Sequence, residues 1–312
     1  GMFADLIIMT AGSAMFTAGP PLVKAALGFD TTPEELGGAE MHTAESGVAH
    51  NLANSEAEAV AMARYFLSML PARAGGQRPE AREAPAAQPR LVDQLMTLIP
   101  PQVNLAYDMR DVLRELVDSQ TLFELQPAYG RTMIVALARI GGVACMIVAN
   151  QPAVMAGAIT ASGAYKATHF IDVATAFGLP LVSLLDNPGV LPGAASEREG
   201  VLRAAGQMFA AQRRYRGRKV VATLRKAFGF GSSVMGMNPW DHQTLSLALP
   251  GVTLGGVPAI GGAEAASASA EEAAQMQELQ SGAWVPADAM AFDKVIAPGE
   301  LRNEIIQALY LD

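Results

Sequence analysis

Only one cysteine and four histidines occur in 312 residues, and each scarcity closes off a class of chemistry. Cys145 lies in the strand-like run Val143-Ala-Cys-Met-Ile-Val148, so an internal disulfide is excluded and a reducing compartment, the cytoplasm, is expected. A thiol in such a run reads as a packing group rather than a nucleophile. His42, His50, His169 and His242 show no His-x-x-x-His or Cys-x-x-Cys spacing, which leaves no ligand set for a metal. Gly-x-x-x-x-Gly-Lys-Ser/Thr, Gly-x-Gly-x-x-Gly and Gly-x-Ser-x-Gly are all missing, so nothing supports a nucleotide-hydrolysing loop, a dinucleotide fold or a serine elbow. The chain also lacks an excess of positive charge: its net charge is −8, which gives no global attraction to nucleic acid or anionic lipid. It lacks an uninterrupted apolar run as well. Thr132 to Asn150 comes closest, but Arg139 and Gly141-Gly142 divide it, and it reads as a β-hairpin rather than a membrane span. No charged stretch followed by an apolar one opens the chain, so secretion is not expected; Gly1-Met2 reads as a tag remnant before a start methionine.

What the chain does have is enough apolar residues, 51%, for two packed cores at about 150 residues each. From Ala72 to Arg90 no side chain is an aliphatic or aromatic larger than Ala; that is linker composition, and residues 72–90 are read as the boundary between residues 1–71 and 91–312. In the front piece Phe3–Met9 reads as a strand, Thr17–Leu27 as a short helix with Pro20-Pro21 in its first turn, and Ser55–Leu70 as a helix with Val60, Ala63, Phe66, Leu67 and Leu70 on its apolar positions. About seventy residues fold alone only marginally, so this piece is expected to lean on the rest or on another subunit. After the linker come a hairpin, Thr132–Ile140 and Val143–Ala149, a helix Lys166–Phe177, a strand Pro180–Leu185, a helix Glu197–Arg214, a strand Lys219–Leu224, a helix starting near Gly231 and a strand Thr244–Leu249. This is an α/β alternation of ββα units. Leu301, Ile305 and Leu309 form a stripe on a closing helix that docks on the core or on a neighbour.

Two strand-to-loop segments stand out. Leu224-Arg-Lys-Ala-Phe-Gly-Phe-Gly-Ser-Ser-Val-Met-Gly236 sets two glycines between a strand and a helix start, and Pro180-Leu-Val-Ser-Leu-Leu-Asp-Asn-Pro-Gly-Val-Leu-Pro-Gly193 runs a strand through Asp186 into a Pro/Gly turn. A loop of this kind aims backbone N–H groups at one point, where an oxyanion can sit. Gly229, Phe230 and Gly231 are the candidate donors, and each oxyanion N–H is worth about 3 kcal/mol to a transition state. Against this stands the plain reading in which the glycines only make a tight turn. His42 and His50, both close to Ser46-Gly47, read as polar residues around a helix entry rather than as a catalytic pair.

Taken jointly, Glu35-Leu-Gly-Gly-Ala39, His42, Ser46-Gly-Val-Ala-His50, Ala106-Tyr-Asp-Met109, Phe123-Glu124, Ile147-Val-Ala-Asn-Gln-Pro152, Asp186-x-Pro-Gly-x-x-Pro-Gly193 and Arg225-Lys-Ala-Phe-Gly229 resemble the carboxyltransferase (β) subunit of biotin-dependent acyl-CoA carboxylases, of the propionyl-CoA carboxylase type. The resemblance implies a ClpP/crotonase-like ββα superhelix. It also implies transfer of a carboxyl group from carboxybiotin, carried by a biotin carboxylase/biotin carrier partner, to the α-carbon of a short acyl-CoA, in a homo-oligomer, dimer or hexamer. By position it places the biotin-side donors on Phe230 and Gly231 with Gly229 shaping the turn, a loop closing over the ring system on Asn187, Pro188 and Gly189, strand-end residues on Asn150 and Gln151, and an acyl-pocket residue on Ser233.

The chain departs from the family in three places. The family's acyl-CoA-side half, with its own glycine loop, falls before Phe3. Arg203-Ala-Ala-Gly-Gln207 stands where Arg-His-Gly-Ala-Lys is usual, and the stretch after Gly261-Gly-Ala-Glu264 is shorter. Residues 1–71 are therefore expected to be the end of an acyl-CoA-side domain and residues 91–312 the biotin-side domain. A biotin-dependent malonyl-type decarboxylase α subunit and a non-catalytic assembly subunit of the same fold are the alternatives.

Overall fold

The computed structural model describes residues 3–311 apart from 74, 77–78, 239–241, 259–261 and 265–266. Two sheets form. In the smaller, β1 (Ile8–Thr10) pairs in parallel with β2 (Asn51–Ala53); the strand is shorter than the expected Phe3–Met9 because only three residues find a partner, and Phe3 is fully exposed. The larger sheet has eight strands: β3 (Phe123–Leu125), β4 (Met133–Ile140), β5 (Val143–Asn150), β6 (Leu181–Asn187), β7 (Lys219–Phe228), β8 (Leu245–Ala248), β9 (Thr253–Gly255) and β10 (Lys294–Val295). Its order is β10-β8-β7-β6-β5-β4-β3 with β9 beside β7, parallel except for β3–β4 and β4–β5. Strands therefore follow one another across the sheet in chain order, as a singly wound superhelix does, instead of reversing at a switch point.

The head of this sheet is the expected hairpin. Gly141 and Gly142 turn it with φ of 61° and 79°, the left-handed pair a two-residue hairpin needs. The Asp118 carboxylate accepts from both turn N–H groups, at 3.0 and 2.7 Å, and also pairs with buried Arg302 at 2.7 Å.

Each face of the sheet carries a core. On one, the helices Ala161–Phe177 and Val201–Arg214 pack through Ala164, Phe170, Ala204 and Met208 onto Met146, Val148 and Val221. On the other, Met109–Leu116 and Leu301–Leu309 cover Ile147, Val182 and Val220. Leu301, Ile305 and Leu309 are all fully buried, so the closing helix docks on its own core.

Several boundaries move, each for a physical reason. The helix expected from Lys166 begins at Ala161, because the Thr160 hydroxyl caps it by accepting from Gly163 N–H at 3.1 Å. The helix expected over Glu197–Arg214 is two, Ala194–Arg198 and Val201–Arg214, separated at Gly200 with φ 79°. β7 runs four residues beyond Leu224, to Phe228, since Arg225 and Lys226 find buried partners instead of ending the strand. Gly261 lies outside the described residues.

The front piece leans on the body of its own chain. Phe66, Met69 and Leu70, from the end of the helix Glu56–Met69, enter the same core as Val135 and Met146, while Val60 and Leu67 stay exposed. Tyr65 Oη donates to Thr121 O at 2.8 Å, and Asn51 Nδ2 to Glu124 O at 3.0 Å. The described part of the Ala72–Arg90 stretch follows the body too: Ala81 N–H donates to Gly142 O at 2.9 Å, Arg302 to Ala86 O at 2.8 Å, and Arg90 N–H to Asn303 Oδ1 at 2.8 Å. Small residues there permit close backbone contact where a solvated connection is expected. No helix among the described residues is long and apolar enough to cross a membrane.

Candidate functional site

The site assembles where β5, β6 and β7 end side by side. β7 is buried along its whole length and delivers Phe228 as the N-cap of the helix Gly229–Val234. Gly229 has φ 55°, and a Cβ there would sit 2.7 Å from Gly256 O, so both conformation and space require glycine. The first N–H groups of a helix have no acceptor within it, and in this turn they belong to Gly229, Phe230 and Gly231. The Ser232 hydroxyl donates back to Gly229 O at 2.7 Å and tightens the turn. Phe230 projects, 44% exposed, and its ring meets that of Phe209 at 5.7 Å between centroids.

Across from this turn lies the end of β6. Asn187 is fully buried; its Oδ1 accepts from Gly189 N–H at 3.0 Å and its Nδ2 donates to Asn150 Oδ1 at 3.2 Å. That same Asn150 oxygen accepts from Asp186 N–H at 3.1 Å, while Asn150 Nδ2 donates to Gly157 O at 3.2 Å. Gly189 O in turn accepts from Ile159 N–H at 3.0 Å. The two loops touch at Gly231, where a Cβ would come within 2.5 Å of Asn187 Oδ1 and 2.7 Å of Gly189 Cα.

The fold therefore brings Gly229, Phe230, Gly231, Asn187 and Gly189 together, with Asn150 buried beneath them as the tie between β5 and β6. Gln151 is placed differently. Its Oε1 accepts from Met109 N–H at 3.0 Å and its Nε2 donates to Asp108 at 2.6 Å, so the side chain positions the head of the helix Met109–Leu116. Pro188 lines a cavity of about 610 Å³ bounded by residues 101–104, Phe228 and the helix Ala270–Gln280. Ser233 is half-buried two residues beyond Gly231, its carbonyl accepting from Asn238 Nδ2 at 2.9 Å.

The sequence reading missed a buried charge cluster under this site. Asp186 pairs with Arg225 at 2.9 Å and Lys226 at 3.2 Å, and all three are buried. Arg225 also donates to the carbonyls of Pro100, Gln102 and Leu105 at 3.2, 2.8 and 2.8 Å, which fixes the segment bounding the cavity. Burial pushes the Lys226 pKa down against the opposing pull of Asp186. Burial and then the Asp186 charge push the Tyr107 phenol well above its ordinary value. The signal was two adjacent cations, Arg225 and Lys226, at the end of a mostly apolar strand, a pattern that calls for a buried anion.

His42 and His50 are both held by hydrogen bonds within the front piece. His42 bonds Ser46 Oγ at 2.8 Å and Met15 O at 2.6 Å, and His50 Nδ1 accepts from Ile7 N–H at 2.8 Å. Among the described residues no group of three or more His, Cys, Asp or Glu side chains is placed to hold a metal ion.

A singly wound α/β superhelix with a glycine turn facing a second loop across adjoining strand ends defines the crotonase-like class. Within it, the chain belongs to the carboxyl transferase domain family, whose model matches residues 2–312. It is 34% identical over 297 residues to the mitochondrial propionyl-CoA carboxylase beta chain of Homo sapiens, covering 94% of this chain and 55% of the relative. It is 36% identical over 228 residues to the methylmalonyl-CoA decarboxylase subunit alpha of Veillonella parvula, covering 72% and 44% respectively. The crystal structure of transcarboxylase 12S with methylmalonyl-coenzyme A and methylmalonic acid bound superposes with a TM-score of 0.93 at 32% identity, covering 99% of this chain and 61% of that one. The chain thus spans little more than half the length of the curated propionyl-CoA carboxylase relative.

Proposed function

We propose that this chain supplies the biotin side of a carboxyltransferase, one that moves a carboxyl group between carboxybiotin, delivered by a biotin carboxylase/biotin carrier partner, and the α-carbon of a short acyl-CoA. The observation that carries the reading is the closure of the two loops on Gly231, a cradle that any Cβ would fill. Carboxybiotin supplies the transferable carboxyl group. The chain's own part is to present the Phe230 and Gly231 N–H groups to the oxygen on which negative charge develops, to hold them rigidly through Asn187, Gly189 and Asn150, and to keep water from the buried strand ends. Pro188 and Gly189 close over the ring, and Gly229 sets the turn. Ser233 faces the acyl group.

Residues 1–71 act as the end of an acyl-CoA-side domain, 72–90 as its connection and 91–312 as the biotin-side domain. The protein works as a cytoplasmic homo-oligomer, dimer or hexamer. The similarity to a decarboxylase subunit alpha favours a second direction, transfer of the carboxyl group from a malonyl-type thioester onto biotin, which uses the same donors.

The test is free biotin added to isotope-labelled protein. Amide shifts concentrated on residues 229–231 and 187–189 are expected. Shifts confined to another face, or none, overturn the assignment.

A further inference from the structure

The charge cluster beneath the site is unbalanced. One buried carboxylate, Asp186, faces two buried cations, Arg225 and Lys226. Arg225 gives its Nε to Asp186 and its Nη1 to three backbone carbonyls, and its buried Nη2, without a hydrogen-bond partner, lies away from the cavity wall. Lys226, by contrast, reaches the wall of the 610 Å³ cavity, where it is the sole charged residue among the described lining residues. Its Nζ donates to Val103 O at 3.2 Å and stands 3.2 Å from Asp186 Oδ1.

A cation held out of water with half a counterion is destabilised in its charged form, as its lowered pKa records. An anion entering the cavity restores the balance. The rest of the wall is uncharged: Gln102, Asn104, Gln277 and Ser281 are polar, Pro101 and Phe228 apolar. Gln280, also in the wall, has a buried Oε1 with no partner. Such a wall suits a short organic body bearing one negative group and one donor.

We infer that this cavity is a carboxylate-binding subsite anchored by Lys226. The inference stands on the charge count and the cavity, and it deepens the carboxyl-transfer reading by giving the transferred or substrate carboxylate a place beside the glycine turn. A carboxylate borne by a thioester and a free organic acid share this chemistry.

The experiment is calorimetric titration of the chain with malonate, with its neutral isostere malonamide and with the malonyl thioester of N-acetylcysteamine. Malonate or the thioester binds and malonamide does not. Tighter binding of the thioester assigns the subsite to the transfer substrate, and tighter binding of malonate assigns it to a free acid. Lys226→Met leaves Asp186 paired with Arg225, so the protein stays folded by its melting curve while carboxylate affinity falls at least tenfold; Lys226→Arg restores it. Affinity also declines as pH rises through the lowered Lys226 pKa, with Asp186, Arg225 and Tyr107 the other ionisable groups facing the cluster. Failure of both carboxylates to bind, or equal binding by Lys226→Met, overturns the inference. Biotin shifts at residues 229–231 in the same sample report separately on the carboxyltransferase reading.

Discussion

Replacing Gly231 by Ala and by Pro separates two effects that the glycine turn combines. An added Cβ sits 2.7 Å from Gly189 Cα and 2.5 Å from Asn187 Oδ1, whereas carbon atoms rest comfortably near 3.5 Å. Neither neighbour yields freely. Asn187 is tied to Gly189 N–H and Asn150, and Gly189 O to Ile159 N–H. The two loops must therefore part by about 0.8 Å, an overpacking cost of roughly 1–3 kcal/mol in stability. A displacement near 1 Å also misaligns the donors, which costs a positioned reaction about a hundredfold. Gly231→Pro brings the same clash and removes the N–H itself, worth a further hundred- to thousandfold on the scale of single oxyanion donors, about 2.7–4 kcal/mol. At this third helical position proline removes no intrahelical hydrogen bond but disfavours the helical conformation of Phe230 before it, so the melting curve is read before the rate. The assay is biotin-dependent decarboxylation of a malonyl-type thioester by the protein with a biotin carrier protein added, alongside a melting curve for each variant. Alanine and proline variants equal in rate, or an alanine variant as fast as the parent, would refute the donor role.

The helix Val201–Arg214 carries Gly206 with open space around the Cβ position, so Gly206→Ala should stabilise by about 0.5–1 kcal/mol, read as a higher denaturant midpoint with unchanged slope. His50 is a pH sensor of stability. Burial first, then His169, hold its pKa down to about 4, and the unfolded chain takes up the proton near 6.5. The neutral ring that accepts from Ile7 is therefore fully stabilising above 6.5, and about 3 kcal/mol is lost as pH falls from there to about 4. His50→Asn, which keeps an acceptor but no titration, should flatten melting temperature against pH over that range.

How much of this was legible in the sequence follows from where each signal resides. The hairpin from Met133 to Asn150 and the strand-to-glycine turn at Phe228–Gly231 were readable, because apolar periodicity and paired glycines are local properties of the chain. So was the family, through the ordered motifs around Asn150, Asp186 and Gly229. The boundaries at Thr160 and Gly200 moved because a capping hydroxyl and a left-handed residue act at single positions inside otherwise continuous patterns. The resemblance already put the two glycine loops around one pocket, but the close contact of Gly231 with Asn187 and Gly189 was decided only by tertiary structure, since it exists only once β6 and β7 lie side by side. The same holds for Gln151, whose amide is turned to the helix at Met109. It holds most of all for Asp186, Arg225 and Lys226: their charges are visible in the sequence, but only burial where β6 and β7 lie side by side, where water no longer compensates them, makes their imbalance a feature of the site.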